Sequence, residues 1–342
     1  MPPATLKRKL SVGKVSNDVL KKIVFGLTGV RNPRVISGPA VGEDAAVIDY
    51  QGRLLVVKSD PITGAESNVG WLAVHVNAND IAVRGANPLF YLSTIILPEN
   101  LDSGILEEIC KGVDLAAKEL GVTVVGGHTE VTSAVSRPVL CGAMIGEAQP
   151  GRIILSSGAK VGDSIIVTKS VALEGTAIIA TDRYKELKGV VGSRLLKSAQ
   201  GFFKYISVVK EALVAAETGL VHSMKDPTEG GLLQALNEVA EASKVGYSVD
   251  AGLVPIENES RIICEALHVD PLKLISSGML IATMDPKNEE IVIRKIREAG
   301  VNATRIGVIT RSGRTVKDFS GQTETPAEFV NEELWRALKA KP

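Results

Sequence analysis

The sequence has few cysteines, few aromatics, no excess of charge and no long apolar run. Its three cysteines, Cys110, Cys141 and Cys264, stand alone with no C-x-x-C, which excludes a zinc ribbon and a disulfide framework. Cys110 falls in a helical pattern and Cys141 in a strand-like one, so both read as small buried hydrophobes. Aromatics make up 4% of the chain, too few for a base-stacking platform. Thirty-nine basic residues balance thirty-nine acidic ones, so no electrostatic footprint for nucleic acid or an anionic membrane is present. The apolar runs are strand-length, far short of the roughly 20 residues that span a bilayer. Lys7, Arg8 and Lys9 are not followed by the apolar stretch of a signal peptide, and a cytoplasmic protein is expected. Several phosphate and catalytic motifs are also missing: G-x-x-x-x-G-K-[ST], G-x-G-x-x-G after a strand, H-E-x-x-H and G-x-S-x-G.

What is present is a 342-residue chain that is 45% hydrophobic, enough for a large core and two domains. Its densest stretch is Val76 to Pro88, read as the end of a helix that begins near Trp71. Trp71, Val74, Ala78, Ile81, Ala82 and Gly85 fall on one face, and Asn77, Asp80 and Arg84 share an arc beside it. Such a helix is buried, and a buried carboxylate needs a partner. Arg84 one turn on is one partner for Asp80; a metal facing bound phosphate is the other. Asn87-Pro88 stops the helix.

Before it, Ser16 reads as the N-cap of a helix over 17–25, and Gly13-Lys14 as a phosphate contact or a solvated turn. Residues 45–49 and 54–59 form a hairpin, with Glu43-Asp44 at one end and Asp60-Pro61 at the other. After it come a strand over 89–97, a helix over 103–120 closed by Gly121, a strand from Val122 running into Gly126-Gly127-His128-Thr129-Glu130, and a strand over 137–147. Strands mixed with two helices predict an α+β first domain. Around 149–162, glycine, proline and serine mark a junction, which divides the chain into 1–157 and 158–342. The second domain alternates strands near 164–169, 279–284 and 303–309 with helices near 208–218, 259–267 and 287–299 and a helix after Gly231 whose core face includes Leu232, Leu236, Val239 and Ala240.

Isolated carboxylates at element ends remain as chemistry: Glu43, Asp44, Asp60, Asp80, Glu130 and Asp226. Oxygen-only ligands suit Mg²⁺ shared with substrate phosphates. Local alternatives stand beside each. Asp226-Pro227-Thr228-Glu229 fits a capping box, Gly126-Gly127 a tight turn, Glu43-Asp44 a plain turn, and His128 a structural histidine.

Taken together, Gly42-Glu43-Asp44-Ala45-Ala46-Val47, Asn79-Asp80-Ile81-Ala82 with Gly85-Ala86-Asn87-Pro88, and Asp226-Pro227-Thr228-Glu229-Gly230-Gly231-Leu232 resemble the PurM-like ATP-binding superfamily. That superfamily is related to aminoimidazole ribonucleotide (AIR) synthetase and includes HypE-type hydrogenase maturation proteins, thiamine-monophosphate kinase and selenophosphate synthetase. Residues 159–163, 270–278 and Ile306-Gly307 extend the match over most of the chain, with HypE nearest. The resemblance implies an α+β N-terminal domain that dimerises through its sheet, an α/β C-terminal domain, and Mg-ATP held between them. It makes Asp44, Asp80 and Asp226 metal ligands, Gly42, Glu43, Asp60, Asp80, Gly126, Gly127 and His128 nucleotide contacts, and Asp80, Asp226 and Glu130 catalytic. It implies a homodimer and a protein acceptor or maturation partner. The activity it implies is phosphoryl transfer from ATP by a phosphotransferase or ligase-like enzyme. An ATP-binding accessory protein without turnover and a small-metabolite kinase are the alternatives.

The sequence departs from the pattern at four places. HypE ends in a cysteine, whereas this sequence ends Ala340-Lys341-Pro342. No reactive cysteine stands near Val12 to Val15, where selenophosphate synthetase has one. His128 replaces an acid, and Ser277 replaces another before Gly278, for which Glu130 is expected to supply the carboxylate.

Overall fold

A computed structural model describes residues 13–65 and 67–340. The basic residues Lys7, Arg8 and Lys9, Val12 and the terminal Lys341-Pro342 lie outside the described residues. Two mixed sheets organise the chain. The first contains β1 (Val35–Ser37), β2 (Ala46–Tyr50), β3 (Arg53–Ile62), β4 (Asn87–Leu97), β5 (Thr123–Val131) and β6 (Val139–Ala148), in the order β1-β2-β3-β6-β4-β5. All its pairs are antiparallel except β4 with β5, which need a crossover and receive one in a long helix.

The helices of the first half follow from their sequence with some corrections. A short α1 (Asn17–Val19) runs into a π turn over Leu20–Val24, and Ser16 makes no side-chain cap bond. The central helix α2 (Val69–Ala82) is buried at every position but Trp71. Leu72, Val74 and Ile81 are fully enclosed, each contributing on the order of 1.5–3 kcal/mol by burial. Helix α3 (Ser103–Leu120) starts on an Asp102 cap and ends at Gly121. It crosses α2 so closely that a Cβ on Gly70 would stand 2.0 Å from the Ile109 carbonyl oxygen. Cys110 lies on the outer face of α3 and is exposed, contrary to its expected burial.

Three local expectations give way to longer strands. Asp60-Pro61 continues β3 instead of ending it, because both residues pair with β6. Asn87-Pro88 already belongs to β4. Gly126-Gly127 forms no tight turn; both glycines are extended within β5, at φ +157° and +153°. A Cβ on Gly127 would stand 2.0 Å from the Ser93 carbonyl oxygen of β4.

The second sheet contains β7 (Ser164–Thr168), β8 (Val221–Lys225), β9 (Gly246–Asp250), β10 (Ile281–Met284), β11 (Ala303–Thr310), β12 (Arg314–Lys317) and β13 (Thr323–Glu324), ordered β13-β12-β9-β11-β7-β10-β8. The expected alternation of strand and helix is present, laid onto a sheet in which only β12 and β9 pair in parallel. Its helices are α4 (Leu173–Asp182), α5 (Tyr184–Leu187), α6 (Ser193–Gln200), α7 (Val209–Glu217), α8 (Gly231–Ser243), α9 (Asn258–Leu267), α10 (Glu289–Glu298) and α11 (Leu334–Ala337).

The halves share one apolar core, to which α2 contributes Leu72, Val74 and Ile81. Asn79 donates to the Ile206 carbonyl oxygen at 2.9 Å and accepts from the Val208 amide at 2.8 Å. Its side chain is therefore committed to docking the second half against α2.

Candidate metal and nucleotide site

Three carboxylates converge where the halves meet. Asp44 precedes β2, Asp80 lies in the last turn of α2, and Asp226 follows β8; one oxygen from each lies within 4.8 Å of the others. Among the described residues, no other group of three or more His, Cys, Asp or Glu side chains converges in this way. Asp226 does not cap a helix. Gly230, at φ +80°, is the N-cap of α8, so the helix starts too late for Asp226 to reach its first amides. Both Asp226 oxygens are buried without a hydrogen-bond partner among the described residues. Such a group is expensive unless something else meets it, and that is the observation that fits a cation here.

Cations of the chain surround the acids without reaching Asp226. Lys58 Nζ lies 3.0 Å from Asp80 and 3.7 Å from Asp60. Lys225 pairs with Asp44 and, at 3.1 Å, with Glu238; Lys14 meets Glu238 at 2.7 Å. Lys14 is thus tied to the network through Glu238 while its side chain stays about a third exposed, at 31%. Arg84 is fully buried and lies 3.1 Å from both Glu43 and Asp44. It is not the partner of Asp80. Helix α2 ends at Ala82, and the Arg84 guanidinium turns to Glu43, Asp44 and Ser156 instead of lying along the helix beside Asp80.

Five carboxylates, Glu43, Asp44, Asp60, Asp80 and Glu238, pair with Lys14, Lys58, Arg84 and Lys225, and Asp226 stands beside them unpaired, so that with all six acids ionised two negative charges are left over. A divalent cation matches that excess. The carboxyl of Asp226 is pushed up to about 7 by burial first and by Asp44 second. Burial likewise raises Asp80 well above the ordinary range, against the opposing Lys58. Burial would lower Lys58 and Lys225, but the acids beside them outweigh it and hold both ammonium groups charged.

The sequence-derived candidates divide into two places. Glu43 supports the same centre from the loop of Gly42, accepting from the Ser156 and Ser157 amides at 3.3 and 3.2 Å. Gly42 sits against α8, where a Cβ would stand 2.9 Å from the Glu238 carbonyl oxygen. Gly126, Gly127, His128 and Glu130 lie elsewhere, on β5, every residue of which is exposed. Register places Asp60, Gly142, Ser93 and Gly127 in one row across the sheet, so Gly127 stands three strand spacings, roughly 14 Å, from Asp60. Glu130 does not join the three aspartates. Its carboxylate lies 3.2 Å from His128 Nε2, as i and i+2 on one face of a strand allow. Lys58 and Lys225 escaped the sequence reading. The available signal was parity: Lys58 occupies the inward side of β3 between Val56 and Ile62, where an apolar residue is expected.

Two such sheets meeting over a shared carboxylate centre define a PurM-like α+β protein. The chain belongs to the AIR synthase related family, whose N-terminal domain model matches residues 42–148 and whose C-terminal domain model matches residues 160–318. It is 29% identical over 311 residues to a putative hydrogenase expression/formation protein of Methanocaldococcus jannaschii, covering 89% of this chain and 90% of that one. It is 30% identical over 275 residues to the carbamoyl dehydratase HypE of Rhizobium leguminosarum bv. viciae, covering 78% and 76% respectively. A solved structure of the hydrogenase maturation protein HypE in complex with ATP superposes with a TM-score of 0.69 at 26% identity, over 96% of this chain and 98% of that one. Among the described residues no helix is long and apolar enough to cross a membrane.

Proposed function

We propose that this chain binds Mg-ATP at the Asp44, Asp80 and Asp226 centre and activates an acceptor by phosphoryl transfer. The orphaned carboxylate of Asp226 inside the three-aspartate cluster carries this reading. The relative named carbamoyl dehydratase and the HypE structure named as an ATP complex support it. Bound at the aspartates, Mg²⁺ would neutralise charge on the phosphates. The chain's own part is positioning. Arg84 fixes Asp44, Lys58 fixes Asp80, and Lys225 is an ammonium within reach of the same space. Gly126, Gly127, His128 and Glu130 are proposed nucleotide contacts, and the open strand β5 leaves their backbone accessible. The names of the relatives support a hydrogenase maturation protein as partner or acceptor. A division of the chain at 157/158 is proposed too, supported by the matched segments on either side of it.

The test is calorimetric titration with a non-hydrolysable ATP analogue, with and without Mg²⁺, on the wild type and on Asp80→Asn. Binding that requires Mg²⁺ and falls at least tenfold in the variant is expected. Absence of binding in the wild type under both conditions sinks the reading.

A homodimer built on the first sheet belongs to the same proposal. Val124, Val125 and Val131 are 43%, 52% and 63% exposed on the unpaired edge, and Leu55, Val57, Ile96 and Ile145 are only half-buried on the face turned away from α2. Light scattering is expected to return twice the chain mass, and Val125→Lys to shift it toward one; a monomeric wild type contradicts the dimer.

A further inference from the structure

Residues 205–208, just before α7, are held from two sides. On one side Asn79 takes the even residues, through the Ile206 carbonyl oxygen at 2.9 Å and the Val208 amide at 2.8 Å. On the other, Lys169 takes the odd ones: its ammonium donates to the carbonyl oxygens of Tyr205 at 2.9 Å and Ser207 at 2.6 Å. The third proton meets Glu211, 2.7 Å away and buried. Every N–H of the ammonium is thereby used within the chain, and the placement is costly. Lys169 stands at φ +52°, a left-handed conformation that strains a residue with a Cβ, and burial lowers its ammonium against the pull of Glu211. Gly278, at φ +105°, closes another side, where a Cβ would stand 2.7 Å from the Tyr205 carbonyl oxygen.

The two ends of this clamp lead to different aspartates. Asn79 precedes Asp80 in the last turn of α2, while Lys169 follows β7 and Asp226 follows β8. Val167 of β7 pairs with Ile281 of β10, which pairs with Lys225 of β8, so the three form one row. Both β7 and β8 run antiparallel to β10 and hence in the same direction. Lys169 and Asp226 therefore leave the same end of the sheet, from strands two spacings, roughly 10 Å, apart. Lys169 ties residues 205–208 to the sheet end that carries Asp226, and Asn79 ties them to the helix turn that carries Asp80. Mg²⁺ demands near-ideal octahedral geometry, so a shift of one of these carboxylates against the other is felt as lost affinity.

We propose that Lys169 is a positioning residue of the metal and nucleotide site, setting Asp80 against Asp226 through residues 205–208 and Asn79. The proposal rests on the Mg-nucleotide reading for its ligand, and Mn²⁺ alone, followed by electron paramagnetic resonance, tests it without the nucleotide. In folded protein, Lys169→Met is expected to weaken Mg²⁺-dependent binding of the ATP analogue, and binding of Mn²⁺, by about tenfold or more. A lysine that only stabilises the fold would lower the urea midpoint and leave both affinities as they are. Glu211→Gln separates the two roles. It removes the ion pair, but even a neutral Lys169 amine keeps two N–H groups for the two carbonyls, so stability falls while affinity stays within about twofold of the wild type. Asn79→Ala should match the loss in Lys169→Met, and the double variant should be at most about twofold weaker than either, because both act through one segment. If Lys169→Met does not fold, Lys169→Gln, whose amide reaches one carbonyl, is expected to lose affinity several-fold. Unchanged affinity in the lysine variant, an equal loss in Glu211→Gln, or additive losses in the double variant overturn the proposal. A wild type that binds Mn²⁺ but not the analogue removes the nucleotide reading and leaves the Mn²⁺ titrations to decide this one; a wild type that binds neither removes both.

Discussion

Asp226→Asn is expected to abolish the Mg²⁺-dependent part of nucleotide binding and, in EDTA, to make the chain more stable than the wild type. The two effects share one cause. A carboxylate with both oxygens buried and unpartnered is unfavourable in the metal-free protein, and an amide removes its charge without changing its shape. The pH dependence has a definite sign. In the unfolded chain the group titrates near its ordinary value, whereas burial and Asp44 push it up to about 7 in the fold. A raised carboxylate destabilises only where the unfolded state has lost the proton. The wild type therefore shows no penalty below about pH 4, loses stability as pH rises toward about 7, and stays level above that. The gap between variant and wild type should open over the same window to on the order of 2–4 kcal/mol. Urea unfolding in EDTA at pH 4.5 and 8 measures it. An equally stable or less stable variant at pH 8 contradicts the idea that Asp226 is uncompensated without metal.

Arg84→Met is expected to destabilise the chain by about 3–5 kcal/mol, the usual result of stripping one partner from a buried ionic network. Arg84 lies 3.1 Å from Glu43 and from Asp44, and donates to Ser156 Oγ at 2.9 Å and the Ile154 carbonyl oxygen at 3.2 Å. Methionine fills the volume but leaves Glu43 without this ion pair and Asp44 with only Lys225. Nucleotide binding should weaken with it, because Asp44 loses the guanidinium that orients it. Arg84→Lys should recover only part of either effect, since one ammonium cannot reproduce the planar fork that spans those acceptors. A loss below about 1 kcal/mol for Arg84→Met would mean that the network relaxes freely and that Arg84 does not hold the site.

Much of the fold was legible because its elements carry local signals. The amphipathic pattern and Gly121 closure of α3, the hairpin of β2 and β3, and the buried character of α2 all follow from periodicity and turn chemistry. The errors sit where a local rule competed with a distant partner. Asp226-Pro227-Thr228-Glu229 satisfies the capping pattern, but α8 starts at Gly231, packed against the carbonyls of Leu272 and Leu274. Gly126-Gly127 satisfies a turn pattern, but β4 supplies a strand for it to pair with. Cys110 satisfies a helical pattern, yet it falls on the side of α3 turned away from α2.

By itself the sequence determined that the chain builds a large core from two α+β halves, and that its acids fall in a pattern resembling ATP-binding proteins. Those properties depend on composition and on neighbours within a few residues. Only the tertiary structure decided that Asp44, Asp80 and Asp226 meet while Glu130 stays on β5 beside His128, and that Lys58 and not Arg84 pairs with Asp80. Pairing among ionised groups is set by which strand ends and helix turns are packed together, and that is fixed by contacts between residues far apart in the chain.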